Sequence, residues 1–189
     1  MTEKDEYRDL IVKNVCLDAY ARSEGFVGWF ESPLIGSDIR PDIDPAIEPF
    51  VSMFHEDPSS WKLVCALVPT EFKIATRPPK KEYDRAIALL GDWITMNLMG
   101  DEVDDSLQTF ELSIAESDKI YWLCKLVLTG SLFGHSFFVS KTRKIITYPH
   151  EDVGFGFIAL PDGKGVENAA NYLSRVDSQR FDVTIRKSA

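Results

Sequence analysis

Only three of the 189 residues are histidines, and two of them stand where a side chain could handle protons. His150-Glu151-Asp152 is the densest polar constellation in the chain. Residues two apart on an extended strand share a face, so His150 and Asp152 would lie beside Tyr148, in reach of each other for proton transfer or metal ligation. Pro149 before them and Gly154 after them indicate a turn instead, and polar turn residues need no function. His135 sits between Gly134 and Ser136 at the start of an aromatic run. Neighbours on a strand point to opposite faces, so His135 and Ser136 alone do not make a base and nucleophile. His55, in FHEDP, suits the end of a short helix, where a cation meets the negative end of the dipole. A small hydrolase or transferase would have to be centred on His135, His150 and Asp152.

Other chemistry-bearing patterns fall short of a motif. Gly154-Phe155-Gly156-Phe157 is no phosphate cradle, because its glycines lie inside a strand rather than opening a helix. They share a face with Ile158 and would let a helix or an aromatic ring approach the sheet. Asp162-Gly163-Lys164-Gly165 precedes a helix, yet no Ser or Thr follows the lysine as a nucleotide loop requires. Asp101, Glu102, Asp104 and Asp105 lack the alternating ligands and central glycine of a calcium loop. Cys16, Cys65 and Cys124 are odd in number, widely spaced and set in apolar runs, which reads as three buried, reduced thiols and not as a metal or redox spacing. No cofactor and no metal is expected.

Thirty acidic against 21 basic side chains leave a net charge of −9. A phosphate backbone would repel such a chain, since nucleic-acid binding needs clustered Lys and Arg. An acidic surface keeps a protein soluble and speeds its encounter with a basic protein partner. The charged start MTEKDEYRD is unlike a signal peptide, and no apolar run approaches a membrane span. A cytoplasmic protein without membrane contact is expected.

With 44% hydrophobic and 12% aromatic residues, the chain can bury a sizeable core as one domain, 1–189, whose residues 1–58 form a mainly helical N-terminal part. Thr2 to Asp5 reads as a capping box opening a helix, with Val12, Val15, Cys16, Ala19 and Tyr20 on its inner stripe and Gly25 as its end. Residues 26–45 read as an irregular connection. A short helix follows from Asp44-Pro45, or from Glu48-Pro49 because Pro49 would break an earlier start. Residues 61–68 read as a buried strand. Tyr83, Ile87, Leu90, Ile94 and Leu98 mark a helix stopped by Gly100. Strands are expected near 107–114, 120–128, 132–140, 143–148 and 153–160, with Trp122, Phe137, Phe155, Phe157 and Leu90 buried. Of these 120–128 is ambiguous, apolar enough for a buried helix. A helix opens near Asp162, and Phe181, Val183 and Ile185 alternate in a last, edge strand. The class is α+β, with an antiparallel sheet in the C-terminal half and helices packed against it.

The profile resembles the small acidic immunity proteins of bacterial toxin systems. The residues carrying the likeness are the acidic block DEVDDSLQTFELSIAESD (101–118) and the hairpins FFVSKTRKIITYPHEDVGFGFIAL (137–160). The resemblance implies a protein that binds and neutralises a partner, often by meeting a basic cleft. The expected partner-binding residues are Asp101, Glu102, Asp104 and Asp105 for the encounter, and Trp29 and Phe30 as aromatic anchors.

Overall fold

The computed structural model describes residues 3–33, 43–70, 78–95, 106–150, 152–161 and 163–186. Its strands are β1 (Phe26–Glu31), β2 (Lys62–Pro69), β3 (Gln108–Glu111), β4 (Leu132–Ser140), β5 (Ile145–His150), β6 (Gly154–Ala159) and β7 (Asp182–Ile185). They form one sheet in the order β3-β2-β4-β5-β6-β1-β7, antiparallel throughout. Among the described residues five helices accompany it: α1 (Glu3–Asn14), α2 (Ile43–Glu56), α3 (Lys80–Leu90), α4 (Ser117–Leu128) and α5 (Lys164–Leu173). The fold is α+β. Among the described residues no helix is long and apolar enough to cross a membrane.

Alternation along the strands sorts side chains into two cores. Leu63, Cys65, Leu67, Phe138, Phe155 and Phe157 face the larger core, where α2, α3, α4 and α5 lay their apolar sides. Val64, Ala66, Phe137, Val139, Ile146, Tyr148 and Ile158 face the smaller one, covered by α1. A phenylalanine stack holds the larger core to the sheet. Phe50 of α2 lies 4.4 Å from Phe138 and 5.0 Å from Phe155, which stacks in turn on Phe30 at 5.6 Å.

Several elements differ from the sequence reading. Residues 117–128 are a helix, α4, and not a strand. The signal lies upstream, where Ser113 and Glu116 make a reciprocal capping box around the 3-10 turn Ile114–Glu116, a device that commits the chain to helix. On the helix Tyr121 and Lys125 stand one turn apart and both reach Asp44 of α2, at 2.8 and 2.7 Å. On a strand their shared face would have held these polar groups with Leu123 and Val127. Trp122 is accordingly only part-buried, packed against the core.

The connection expected over 26–45 contains β1, which sits between β6 and β7, so the N-terminal part supplies a strand to the sheet. Helix α1 ends at Asn14, and its buried stripe is Tyr7, Ile11 and Val15, with Val12 exposed. Pro49 is accommodated within α2: its missing N–H costs one hydrogen bond, offset by the burial of Ala46, Ile47, Phe50, Met53 and Phe54. Helix α3 stops at Leu90 because Gly91 takes a left-handed φ of +53°. Cys65 and Cys124 are buried and free, while Cys16 is only part-buried.

Truncation of Phe155 should remove the centre of the phenylalanine stack. Phe155→Ala is expected to lower unfolding free energy by about 3–5 kcal/mol, measured by denaturant titration. Trp122→Ala should cost less than half as much, because part of that ring is already in water.

Candidate functional site

Strand β4 pairs with β2 from Leu132 to Val139, against Pro69 to Lys62. It pairs with β5 only through Phe138, Val139 and Ser140. Beyond that point the two strands part. Gly134, at a φ of +116° open only to glycine, bends β4 on one side of the gap. Pro149, which has no N–H to offer a neighbour, lies on the other. The fork opens a hollow of about 740 Å³ walled by Leu132, Phe133 and Gly134 of β4, Tyr148, Pro149 and His150 of β5, and Val127 and Gly130 at the end of α4.

Strand β1 closes the far wall. Its pairing with β6 slips by one residue between Phe26 and Gly28. This bulge puts Phe26 on the same face as Trp29 and Glu31, where plain alternation would have opposed them. Phe26 and Trp29 stack at 5.8 Å, and Trp29 donates a hydrogen bond to Glu31. The 3-10 turn Tyr20–Arg22 drops Tyr20 between the strands, 4.5 Å from the Tyr148 ring and 5.2 Å from Phe137. Tyr148 in turn lies over Gly156, where a Cβ would fall on its ring. Aromatic approach to this glycine is what the Gly-aromatic alternation implied.

The three residues singled out for proton chemistry fall along this hollow without meeting at one point. His135 Nδ1 and the Tyr20 hydroxyl share a hydrogen bond of 2.5 Å. The rings of Tyr20 and Tyr148 stand between His135 and His150. His150 and Asp152 do approach, Nδ1 to Oδ2 at 3.8 Å. Strand β5 runs through His150, so the turn begins after this residue and not before it. Its side chain keeps 18% of its exposure, against 75% for Asp152, and its Nε2 is buried with no hydrogen-bond partner. Burial pushes the imidazole down from 6.5 to about 4, the Asp152 carboxylate opposing this. His150 is therefore neutral at physiological pH, with a proton on one ring nitrogen and a lone pair on the other that can ligate.

Glu31 completes the group, and the sequence reading did not include it. A carboxylate oxygen of Glu31, one of Asp152 and an imidazole nitrogen of His150 all lie within 4.8 Å of one another. Burial first, then the Asp152 charge, raises the Glu31 carboxyl above its ordinary value, against the Trp29 hydrogen bond that lowers it. Among the described residues no lysine or arginine lines the hollow.

Of the residues expected to bind a partner, Trp29 reaches the hollow. Phe30 points the other way, into the larger core at 0% exposure, because adjacent strand residues face opposite sides. It has no surface to offer in this conformation. Asp101, Glu102, Asp104 and Asp105 lie outside the described residues. An anchor that the sequence reading missed is Phe133, 61% exposed at the mouth of the hollow. Its position in an apolar run gave no sign of exposure. His55 ends α2 as expected and shares a hydrogen bond of 3.0 Å with Ser117 Oγ. Comparisons with protein-family models, curated proteins and solved structures give no match.

The depressed His150 makes stability pH-dependent with a definite sign. Above pH 6.5 the imidazole is neutral folded or unfolded, and its contribution is fully present. As pH falls from there to about 4, the unfolded chain takes up the proton and the native state does not, so stability is lost. Glu31 works in the opposite sense, since its raised carboxyl binds a proton more readily in the native state. Midpoints of thermal unfolding between pH 7 and 4, measured in a Glu31→Gln background, should fall more steeply with His150 present than in His150→Gln. The difference at pH 4 should approach about 3 kcal/mol.

A second expectation concerns the floor of the hollow. Gly156→Ala should force the Tyr148 ring aside, costing about 1–3 kcal/mol of stability as an overpacked site. Near-ultraviolet circular dichroism should register the displaced tyrosine.

Proposed function

We propose that this chain is a cytoplasmic binding protein that neutralises a protein partner, in the manner of the immunity protein of a bacterial toxin. The observation that carries the reading is the exposed Phe133 beside a half-open aromatic hollow, on the sheet face that four of the five helices leave uncovered. A single exposed apolar side chain is ordinary, but one that continues into an apolar-walled hollow makes the contiguous surface on which partners dock. Phe133 and the part-buried Trp29 have the character of interface anchors, aromatic groups that a partner can desolvate fully.

Charge supports the same reading. The hollow carries Glu31 and Asp152 with no basic lining residue among the described residues, and the chain as a whole is at −9. A basic partner would be drawn to this surface, and the acidic residues Asp101, Glu102, Asp104 and Asp105 would add to the long-range field. Nucleic acid would be repelled, and nothing in the reading calls for a membrane or a cofactor.

A small hydrolase or transferase is the second reading. The 3.8 Å approach of His150 and Asp152 at the edge of a hollow favours it. The distribution of His135 away from that pair, behind two tyrosine rings, counts against a single centre built from all three.

The test is titration, in the presence of a chelator, against the product of the neighbouring gene. Binding should weaken at least tenfold when salt is raised from 50 to 500 mM. Charge reversal at residues 101, 102, 104 and 105 should slow association, and Phe133→Ala should speed dissociation at least tenfold. Binding at either salt that ignores both the reversal and Phe133→Ala would sink the proposed surface. No binding at any salt, together with turnover of ester or phosphate substrates that His150→Gln abolishes, would favour the enzyme.

A further inference from the structure

We propose that Glu31, His150 and Asp152 form a binding site for one divalent transition-metal ion of the zinc type. The register of three strands builds it. Gly154 of β6 pairs with Glu31 on one side and with His150 on the other. Glu31 and His150 thus stand in one row across the sheet, two strands and about 9.5 Å of backbone apart. Their ligand atoms nonetheless come within 4.8 Å, with Asp152 from the following turn as the third. Both side chains lean inward over Gly154, and the missing side chain there is what leaves the space. A Cβ on Gly154 would press against the backbone and Cβ of Glu31.

The donor set has the chemistry of such a site. Two carboxylates and a neutral imidazole carry a charge of −2, which a divalent cation cancels. Among the described residues no lysine or arginine lies within ion-pair distance of Glu31 or Asp152, so the mutual repulsion of the two carboxylates has no other relief. Imidazole selects zinc and its neighbours over magnesium or calcium, which prefer oxygen alone. Ligands at about 2.0–2.2 Å from a tetrahedral ion sit about 3.3 Å from one another. From 4.8 Å this needs closure by roughly an ångström or more, within reach of the exposed Asp152 end and the long Glu31 side chain. Three protein ligands leave a fourth position, turned toward the hollow, for water or another small ligand.

The proposal stands apart from the partner-binding reading, and its test uses no partner. Untagged, chelator-treated protein is titrated calorimetrically with zinc, manganese and magnesium salts at pH 7.5. Zinc should bind at one ion per chain and raise the thermal midpoint, with magnesium at least a hundredfold weaker. Asp152→Asn, at an exposed position, should not lower the metal-free midpoint, since it removes a carboxylate that repels Glu31, and should weaken zinc binding at least tenfold. Glu31→Gln should weaken it similarly, and His150→Gln should abolish it. The site is overturned by absence of saturable zinc uptake, by uptake indifferent to Asp152→Asn and Glu31→Gln, or by magnesium binding as tightly as zinc.

Discussion

Strand β4 keeps β2 as a partner from Leu132 to Val139 and β5 along only a third of its length, and the hollow exists because of that unequal pairing. A paired strand has its backbone hydrogen bonds satisfied within the sheet, and an unpaired stretch must find them elsewhere or face solvent. Here the unpaired stretches are tolerable for local reasons. Gly134 supplies a bend that other residues resist, Pro149 lacks the donor that would be stranded, and aromatic rings from the turn at Tyr20 fill part of the gap. The sheet remains continuous at the closed end of the fork because β4 and β5 pair through residues 138–140 and 145–147, next to the turn that joins them. Each strand of the fork keeps its other neighbour, β2 beside β4 and β6 beside β5.

The two faces of the sheet divide stability from surface. On the larger-core side, four helices bury the phenylalanine stack and the apolar faces of every central strand. The other side has α1 over β2 and β3, pinned at its start by Lys141, which pairs with Glu6 at 2.8 Å and lies over the Tyr7 ring. The contacts of that helix with the sheet lie chiefly on β2 and β3. The tyrosines, Trp29, Glu31 and His150 occupy the rest of that side, where polar groups cost less to keep than in a four-helix layer.

Electrostatics in the region follow from the same asymmetry. Glu31 and Asp152 are near enough to raise the cost of charging Glu31, and His150 is too buried to answer with a positive charge. The result is a small, concentrated negative field beside aromatic walls. Such an arrangement suits a cation, whether a metal ion held by the three side chains or a basic group of a partner laid against the rings.

Local pattern determined much of the fold. The β4–β5–β6 meander, the buried Phe137, Phe155 and Phe157, the β2 run and the β7 edge strand were legible because alternation with a period of two is a local property. So was the aromatic contact at Gly156. The helix at 117–128 reads as a strand because aromatic and branched residues outnumber helix formers in it, while the better signal lay in the capping box just upstream. Tertiary structure alone decided the rest. Whether Phe30 or Trp29 faces out depends on a bulge in β1 that its own residues do not announce. The meeting of Glu31 with His150 and Asp152 depends on β1 being inserted beside β6, a pairing between segments far apart in the chain. No periodicity encodes a contact of that kind, because register across non-adjacent strands is set by the packing of the whole sheet.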